Sequence, residues 1–492
     1  MFLQIIFLDY RRNNYFPSHI KDCLYQLLQI IMINYKQTTL VFCLLLSMVF
    51  VSAQEGWQPL FNGEDFSNWK KLNGTANYEI EGDAIVGVAK LNTPNTFLAT
   101  KQTYGDFILE VEVWGDNRLN TGIQIRSESY EAYNNGRVHG YQVEIDPSAR
   151  AYTGGIYDEA RRGWLYPLAL NDKGRKAYRT GEWNTLHIEA IGKHIRTWVN
   201  GVMCANLVDD MTAEGFIALQ VHSIGDPDQV GTTVKWKGLK IKTTDLDNAR
   251  WAPDPEVKEV SYLVNQLTDS EKRKGFRLLW DGETSKGWRG AKLDGFPESG
   301  WTMEDGVLAV LATDGGESTG PGDIITEDQF GEFELELEFK ITKGANSGIK
   351  YFVDPNMNKG TGSAIGCEFQ ILDNEHHPDA KMGVLGNRTL GSLYDLIAAK
   401  NISNPWRGVG SMFRGIGNWN KARIIVKGGK VEHWLNNEKA VEYDRFSQMF
   451  EALVNYSKYQ QWEQFGRWPA GHILLQDHGD TVHFRSIKIR EF

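Results

Sequence analysis

The chain has 492 residues and a net charge of −10, from 53 basic and 63 acidic residues. This acidic balance, without any basic run, argues against a nucleic-acid partner. The length exceeds the ~250–300 residues at which a single core stops growing, so we expect at least two domains. The high content of aromatic residues and glycine, with 16 Trp, 23 Phe and 50 Gly, is typical of β structure.

The first 53 residues are typical of an upstream extension followed by a secretory signal. Met32 opens a segment with a lysine, then an apolar run over 40–51 and small residues before Gln54. We therefore expect a signal peptide over 32–53 and an exported mature chain, in the periplasm, at the cell surface or outside the cell. A membrane anchor is the alternative, but the run is shorter than the ~20 apolar residues that a span needs. No later stretch predicts a membrane span.

Only two cysteines remain once the signal region is set aside. Cys204 and Cys367 lie one in each half of the chain. A single pair so far apart predicts two buried thiols rather than a structural disulfide.

The rest of the chain is a tandem repeat. The stretch "GWQPLFNGEDFSNW" (56–69) matches "GFRLLWDGETSKGW" (275–288). Later landmarks keep the same register in both copies, which identifies an internal duplication. The matched spacings are 17 residues for Gly105–Gly122 and Gly331–Gly348, 18 for Gly122–Gly140 and Gly348–Gly366, and 17 for Trp183–Asn200 and Trp419–Asn436.

Each repeat has the pattern of β strands. "FILEVEVW" (107–114) and "FELELEFK" (333–340) alternate as half-buried strands do. The Gly-containing turns "IGKH" and "KGGK" predict hairpins. We expect an all-β fold of two antiparallel two-sheet sandwiches, over residues 54–246 and 274–492.

The segment between the repeats, 247–273, changes character. Pro253 and Pro255 mark a linker, and "VSYLVNQL" (260–267) has helical spacing. Thr268 and Glu271 fit a capping box for a second short helix. We predict an ordered, partly helical linker.

Three strands of the first repeat each place polar residues on one face. A curved sandwich with a polar concave face would gather them into a groove. The residues concerned are Gln124 and Arg126 in "GIQIRS", Gln142, Glu144 and Asp146 in "GYQVEIDPS", and Gln220 and His222 in "ALQVHS".

The second repeat has a comparable set with altered chemistry. A Tyr-Asp pair follows in both copies, and a longer loop, "NEHHPDAK" (374–381), is present only in the second. The second set is Lys350, Glu368, Gln370, Asp373, Gln476 and His478, and the pairs are Tyr157-Asp158 and Tyr394-Asp395.

Each of these residues also has an ordinary structural interpretation. A single polar residue on a strand usually faces water, and a Tyr-Asp pair can be a hydrogen-bonded turn. Trp198 and Trp434 suit either a sugar-stacking surface or the core. His376-His377 invites a metal hypothesis, but two adjacent histidines in a loop are a weak ligand pattern. The recurrence of carboxylate, imidazole, amide and cation in both halves favours a functional groove.

Several stretches resemble the 3-keto-disaccharide hydrolase domain family. They are "LFNGEDFSNW", "LLWDGETSKGW", "NSGIKYF", "EFQILDNEHHPDAK", "GSLYDLI", "VEHWLNNEKAVEYD" and "GHILLQDHGDTVHFRSIKIREF". The resemblance covers nearly the whole mature chain, once per repeat, and implies two concanavalin A-like jelly-roll sandwiches. The first repeat, which lacks the "DNEHHPDA" loop, resembles a distinct branch of the family.

The resemblance implies cleavage of 3-keto-glycosides. A ketone at C3 acidifies the C2 proton, so that one base removes it and the glycosidic oxygen leaves from C1. We expect Glu144 or His222, and Glu368 or His478, to act as base or acid. The remaining polar residues of the two sets would bind sugar hydroxyls or the enolate. No cofactor is required, although a divalent cation with Asp146 or Asp373 as ligand is compatible.

Alternative functions share the same groove. A retaining glucanase of this architecture would carry Glu-x-Asp-x-x-Glu on one strand, but the Glu144-Ile145-Asp146 start is followed by Ala149. A lectin-like protein would bind carbohydrate without chemistry. A structural protein of the cell envelope, using its aromatic surface as an interface, is a further interpretation.

Overall fold

The structure is a computed structural model that describes residue 26 and residues 56–313, 322–400 and 412–492. It is nearly all β, with 43% strand and 7% helix. The predicted signal segment, 32–53, lies outside the described residues. In the described part of the chain, no helix has the length and apolar character needed to cross a bilayer.

The first repeat contributes fifteen strands to the described structure, with short 3₁₀ helices at Leu168–Leu170, Gly174–Lys176 and Pro227–Gln229. The strands are β1 (Trp57–Pro59), β2 (Trp69–Asn73), β3 (Asn77–Glu81), β4 (Ala84–Val88), β5 (Thr96–Tyr104), β6 (Phe107–Gly115), β7 (Thr121–Glu128), β8 (His139–Ile145), β9 (Ile156–Glu159), β10 (Gly163–Tyr166), β11 (Asn184–Ile191), β12 (His194–Val199), β13 (Val202–Val208), β14 (Gly215–Val221) and β15 (Thr233–Lys242).

The linker holds one short strand and one short helix, and the second repeat follows with 3₁₀ helices at Pro378–Lys381 and Lys458–Gln461. These elements are β16 (Val260–Ser261), α1 (Asp269–Arg273), β17 (Arg277–Leu278), β18 (Trp288–Gly290), β19 (Trp301–Glu304), β20 (Val307–Val310), β21 (Ile324–Thr326), β22 (Phe333–Ile341), β23 (Asn346–Asp354), β24 (Ile365–Leu372), β25 (Asn420–Lys427), β26 (Lys430–Leu435), β27 (Glu438–Asp444), α2 (Gln448–Asn455), β28 (His472–Leu475) and β29 (Val482–Glu491).

The two repeats share one sheet topology, to which the first repeat adds β9 and β10 at one sheet edge and the linker adds β16 at the edge of the other. In the first, one sheet runs β16-β13-β12-β11-β6-β15-β4-β3 and the other β10-β9-β8-β7-β14-β5-β2. In the second, the matching orders are β27-β26-β25-β22-β29-β20-β19 and β24-β23-β28-β21-β18. Strand for strand, β6 corresponds to β22, β7 to β23, β8 to β24 and β14 to β28. The duplication and the all-β tandem sandwich predicted from the sequence are confirmed.

Alternation along the strands separates core from groove. On β8, Tyr141, Val143 and Ile145 point into the apolar core between the two sheets. Gln142 and Glu144 therefore point to the opposite, open face of the same sheet. The predicted hairpins also form, since β25 joins β26 through Gly428 and Gly429, whose positive φ angles of 55° and 83° suit a two-residue turn.

The two cysteines are free and buried, as predicted. Burial raises the pKa of Cys204 and of Cys367 to about 12, so both thiols stay protonated at neutral pH.

The linker differs from its prediction in one respect. The capping box is confirmed, because Thr268 and Glu271 cap helix α1 reciprocally. The helix predicted over 260–267 is wrong, since β16 is extended and pairs in parallel with β13. The apolar residues that suggested a helix bury against the first sandwich instead, as Val260 and Tyr262 do.

The linker also forms ion pairs and a hydrogen bond with the second sandwich. Lys258 Nζ lies 2.9 Å from Glu334 Oε1 and 2.7 Å from Glu336 Oε1. Lys421 Nζ of the second sandwich donates to Ser261 O at 2.8 Å. Residues 59–492 form one compact unit that contains both repeats.

Glu336 is the centre of this docking. Its carboxylate lies 3.0 Å from Lys421 Nζ and 3.5 Å from Lys488 Nζ, in addition to Lys258. Burial by itself would raise the pKa of Glu336, but these cations hold it well below its usual range. In the same way, neighbouring cations outweigh the effect of burial on Glu334 and lower its pKa to about 2.

Glu336→Gln should lower the free energy of unfolding at pH 7 by about 3–5 kcal/mol, because it leaves buried ammonium groups without their counter-charge. Chemical denaturation measures this, with the exposed Glu304→Gln on β19 as the matched control, expected to change stability by less than about 0.5 kcal/mol.

The stabilisation should depend on pH with a definite sign. A carboxylate whose folded pKa is depressed stabilises the fold fully above its unfolded value of 4.5, and this stabilisation is lost as the pH falls from there through the folded pKa. The difference between wild type and Glu336→Gln should therefore shrink over that range. A difference that stays constant from pH 7 to pH 3 would contradict this account.

Candidate functional site

The open face of each sandwich forms a groove. In the first sandwich, strands β8, β9, β10 and β14 line a cavity of about 600 Å³. It gathers five of the residues predicted from sequence, which are Gln142, Glu144, Tyr157, Gln220 and His222.

Glu144 is the centre of the first groove. Asn120 Nδ2 donates to Glu144 Oε1 at 2.6 Å, and Gln142 Nε2 donates to Glu144 Oε2 at 2.7 Å. Arg150 Nη2 lies 3.6 Å from the same carboxylate. Burial raises the pKa of Glu144, and the two amide donors and Arg150 oppose that rise. A carboxyl group with a raised pKa in a polar cleft is suited to exchange a proton.

Gln124 and Asp146 support the groove without lining it. Gln124 is fully buried and donates from Nε2 to Gln142 Oε1 at 2.5 Å, which orients the Gln142 amide. Asp146 accepts from Arg150 Nε at 2.7 Å and so aims that guanidinium at Glu144.

Asp158 plays a similar part on the neighbouring strand. It is fully buried and pairs with Arg161 at 2.7 Å and Arg162 at 2.5 Å, both of which line the groove. Its partner Tyr157 lines the groove, so the predicted Tyr-Asp pair divides between the two faces of β9.

The predicted position of Arg126 in the groove is wrong. The alternation of β7 predicted that it would share the groove with Gln124, but the pairing of β7 with β8 shifts register between Ile125 and Glu128. Arg126 has a φ of 45° and turns away from the groove. Its guanidinium donates to Gly105 O and Gly192 O and lies 2.8 Å from Asp106.

The second sandwich contributes part of the first groove. Tyr152 Oη donates to Glu438 Oε1 at 2.6 Å, and Arg414 Nη2 donates to Trp164 O at 2.9 Å. All four residues line the cavity. Sequence patterns could not predict these contacts, because no periodicity links residues that lie 286 and 250 positions apart in different repeats.

Further groove residues also escaped prediction from the sequence. Arg150, Glu159 and Trp164 sit outside the alternating strand faces or at their ends, and Asn120 precedes β7. The signal that could have found some of them is the charged run "DEARRGW" (158–164), which begins at the aspartate of the predicted Tyr-Asp pair.

In the second sandwich, strands β23, β24 and β28 frame a smaller cavity of about 230 Å³. It brings together six of the predicted residues, which are Lys350, Glu368, Gln370, Tyr394, Gln476 and His478. Within the described chain, Glu368 is the only carboxylate that lines it.

Glu368 lies between a cation and an amide. Lys350 Nζ is 3.8 Å from Glu368 Oε2 and is itself held by Ser363 Oγ and Ala364 O. In the amide orientation that satisfies its neighbours, Gln370 donates to Glu368 Oε1 at 3.0 Å. The carboxylate is 5% exposed, so this polar cluster is almost wholly removed from bulk water.

A glycine makes room for this carboxylate. A Cβ placed on Gly348 of β23 would lie 2.1 Å from Glu368 Oε1, so a larger residue there would displace this carboxylate. Gly122, the matched residue of the first repeat, makes the same room for Gln142, whose Cδ would be 2.5 Å away. The spacing from the glycine to the side chain that occupies this space is 20 residues in both repeats, from Gly122 to Gln142 and from Gly348 to Glu368.

The two grooves place their carboxylates differently. Aligning Gly140 with Gly366 matches Gln142 to Glu368 and Glu144 to Gln370. The Gln-Glu pair is therefore reversed, which moves the carboxylate by two residues, or about 7 Å along the strand. Beside it, Gln124 of the first repeat becomes Lys350 in the second, directly across from Glu368.

Asp373 and Asp395 do not line the second groove. Asp373 accepts from Gly344 N at 2.8 Å and from His376 Nδ1 at 2.8 Å, and it fixes the start of the loop over 374–381. Asp395 lies 2.7 Å from Arg388 Nε. Both carboxylates organise loops at the edge of the sheet.

Tyr394 does line the groove. Its hydroxyl donates to Asp379 Oδ2 at 2.8 Å, and Lys458 Nζ lies 4.5 Å from the centre of its ring. Burial, followed by the neighbouring carboxylates, raises the pKa of Tyr394, so this phenol stays protonated.

The tryptophans considered for sugar stacking lie outside both grooves. Trp198 is 3% exposed and packs in the first core, which supports the structural interpretation. Trp434 is half-buried between Arg423 and Lys439, whose cationic groups lie 5.2 Å and 5.3 Å from its ring.

Comparisons with known proteins agree with the duplication. The sequence profile of a family described as the 3-keto-alpha-glucoside-1,2-lyase-like domain matches residues 56–242 and 275–490. A 3-keto-disaccharide hydrolase from Bacteroides thetaiotaomicron is 37% identical, over 44% of this chain and 78% of that protein. A solved structure of a proposed glycosyl hydrolase from Parabacteroides distasonis is 28% identical, with a TM-score of 0.39, covering 47% of this chain and 100% of that one.

The placement of Arg126 leads to a stability prediction. Arg126→Met should lower the free energy of unfolding by about 2–4 kcal/mol, because buried carbonyl groups lose a charged donor. Arg118→Met removes a surface ion pair from a side chain that is 55% exposed, and should leave the free energy of unfolding nearly unchanged. Chemical denaturation of both variants measures the contrast. Equal and small losses of the free energy of unfolding in both variants would mean that the hydrogen bonds of Arg126 do not stabilise the fold.

Proposed function

This chain belongs to the 3-keto-alpha-glucoside-1,2-lyase-like domain family, and on that basis we propose that it cleaves the glycosidic bond of 3-keto-disaccharides or related 3-keto-glycosides. The related hydrolase from Bacteroides thetaiotaomicron supports a carbohydrate substrate. The predicted signal segment supports export, which is part of this proposal.

The observation that carries the proposal is the Glu368 cluster of the second groove. Glu368 is a buried carboxylate with Lys350 Nζ at 3.8 Å, in a cavity of about 230 Å³. Elimination from a keto sugar needs one base and one group that stabilises negative charge. The cluster supplies one of each.

This groove is a poor fit to an ordinary retaining glycosidase. That mechanism needs two carboxyl groups about 5–5.5 Å apart, one as nucleophile and one as acid. Of the described residues that line the second groove, Glu368 alone is acidic. The composition of the groove therefore favours a substrate that is already activated by oxidation at C3.

In the proposed reaction, Glu368 removes the proton from C2 of the keto sugar. The C2–H electron pair first forms an enolate, with a C2=C3 double bond and negative charge on the C3 oxygen. The enolate then collapses: the C3=O bond re-forms, the pair moves to the C1=C2 double bond, the C1–O bond breaks, and its electrons leave with the glycosidic oxygen, which takes up a proton. Water then adds across the double bond, with its hydroxyl going to C1 and a proton to C2. The sum of the two steps is hydrolysis.

The neighbouring side chains have distinct parts in this reaction. Lys350 stabilises the enolate oxygen that develops at C3, because a cation in a water-poor cleft acts most strongly on charge that appears in the transition state. His478 or Tyr394 is placed to protonate the leaving oxygen, since both line the same cavity. Gln370 and Gln476 hold sugar hydroxyls.

In this proposal, the first groove has a related but different catalytic role. Its volume of about 600 Å³ is larger, and residues from both sandwiches line it. Glu144 has two amide donors and an arginine where Glu368 has one amide and a lysine. We propose that Glu144 or His222 serves as the proton-transfer group there, for a larger glycoside.

The proposal predicts selectivity for the oxidised sugar. The exported chain should release free sugar from a 3-keto-disaccharide and not from the unoxidised parent disaccharide. Chromatography of the products measures both. Release from the parent alone would indicate an ordinary glucanase, and binding of the keto sugar without turnover would indicate a lectin-like protein.

Glu368→Gln should lower turnover of the 3-keto-disaccharide by about 10²–10⁴-fold, because the base is lost while the shape of the side chain is kept. The matched control is Glu375→Gln, an exposed position on the neighbouring loop, which should leave turnover unchanged. If Glu368→Gln retains full turnover, Glu368 is not the base.

A further inference from the structure

Three side chains that commonly bind metals meet at the rim of the second groove. They are His377, His478 and Asp480, and one potential ligand atom from each lies within 4.8 Å of the others. His377 comes from the loop over 374–381, whereas His478 and Asp480 follow strand β28. The cluster therefore joins two segments that are distant in the chain.

Existing contacts orient two of the three groups. The backbone N–H of Asp379 donates to His377 Nδ1 at 3.2 Å, which leaves Nε2 as the nitrogen that faces the cluster. The N–H of Asn346 donates to Asp480 Oδ2 at 3.0 Å and fixes that carboxylate. In metal sites, hydrogen bonds from neighbouring groups to the ligand side chains hold those ligands in position.

We propose that His377, His478 and Asp480 bind a divalent first-row transition metal ion. Two imidazoles and one carboxylate are the donor set that such ions prefer, whereas Mg²⁺ and Ca²⁺ prefer oxygen ligands alone. Ligand atoms around a tetrahedral zinc ion are roughly 3.3 Å apart, so binding draws these half-buried loop side chains inwards.

The first repeat shows what the site requires. His222 matches His478, but Ile224 stands where the second repeat has Asp480. The first repeat also lacks the loop that carries His377. His222 Nδ1 instead lies 2.6 Å from Ser223 O. One site per chain is therefore expected, in the second sandwich alone.

The position of the site suggests its use. His478 lines the groove that contains Glu368, so an ion held by His478 would lie at the edge of that groove. If the chain acts on keto sugars as proposed above, a bound ion would supply Lewis-acid polarisation of a sugar oxygen in that groove. This role rests on the proposed function, and it assigns protonation of the leaving oxygen to Tyr394, because His478 is then a metal ligand. The binding of the metal itself does not rest on the proposed function.

The test measures binding directly. Metal-free full-length chain is titrated with Zn²⁺ by calorimetry, and with Co²⁺ by visible absorption, which reports nitrogen ligation. We expect one ion per chain, and at least a 100-fold loss of affinity in His377→Ala and in His377→Ala/Asp480→Asn. Circular dichroism confirms that each variant is folded.

Two matched histidine variants are the controls. His376→Ala changes the adjacent, exposed residue, which bonds to Asp373, and His222→Ala changes the counterpart of His478. Both should keep one ion per chain and an affinity within about threefold. Binding that is absent in the wild type, or that is equally strong in His377→Ala/Asp480→Asn, would overturn the proposal. Because no substrate is present, either result is independent of whether keto sugars are cleaved.

Discussion

The structure depends on a carboxylate or amide that lies buried over a glycine on the open face of each sandwich. Gly122 and Gly348 have no Cβ, and the space that a Cβ would fill is taken by Gln142 and by Glu368. A polar group at such a site must be hydrogen-bonded, because burying it unpaired would cost several kcal/mol. Further polar side chains supply these hydrogen bonds, and together they form the polar groove.

The duplication has preserved this framework while changing its chemistry. Reversal of the Gln-Glu order on β8 and β24 moves the carboxylate along the strand, and Lys350 replaces the amide of Gln124 beside it. Docking of the sandwiches through Lys258, Glu334 and Glu336 then gives the first groove residues from its neighbour, among them Glu438. Two copies of one fold thus carry two different sites.

Periodicity and repetition in the sequence predicted the sandwiches and most of the groove residues. Alternation identified the polar faces that hold Gln142, Glu144, Gln220, Lys350 and Glu368, and matched spacings identified the two sandwiches. Prediction failed where local geometry breaks the period, as at Arg126, where a bulge reverses the side chain. It also failed for contacts between repeats, such as Tyr152 with Glu438, and for the meeting of His377 with Asp480, because these depend on how distant segments pack.

The most direct test of the central claim is the fate of the C2 hydrogen. When the wild-type chain cleaves a 3-keto-disaccharide in D₂O, the keto sugar it releases should carry deuterium at C2, as read by NMR and mass spectrometry within the time in which the free product does not exchange. A product that keeps its original hydrogen at C2 would contradict the account, because the glycosidic bond would then break without removal of that proton by Glu368.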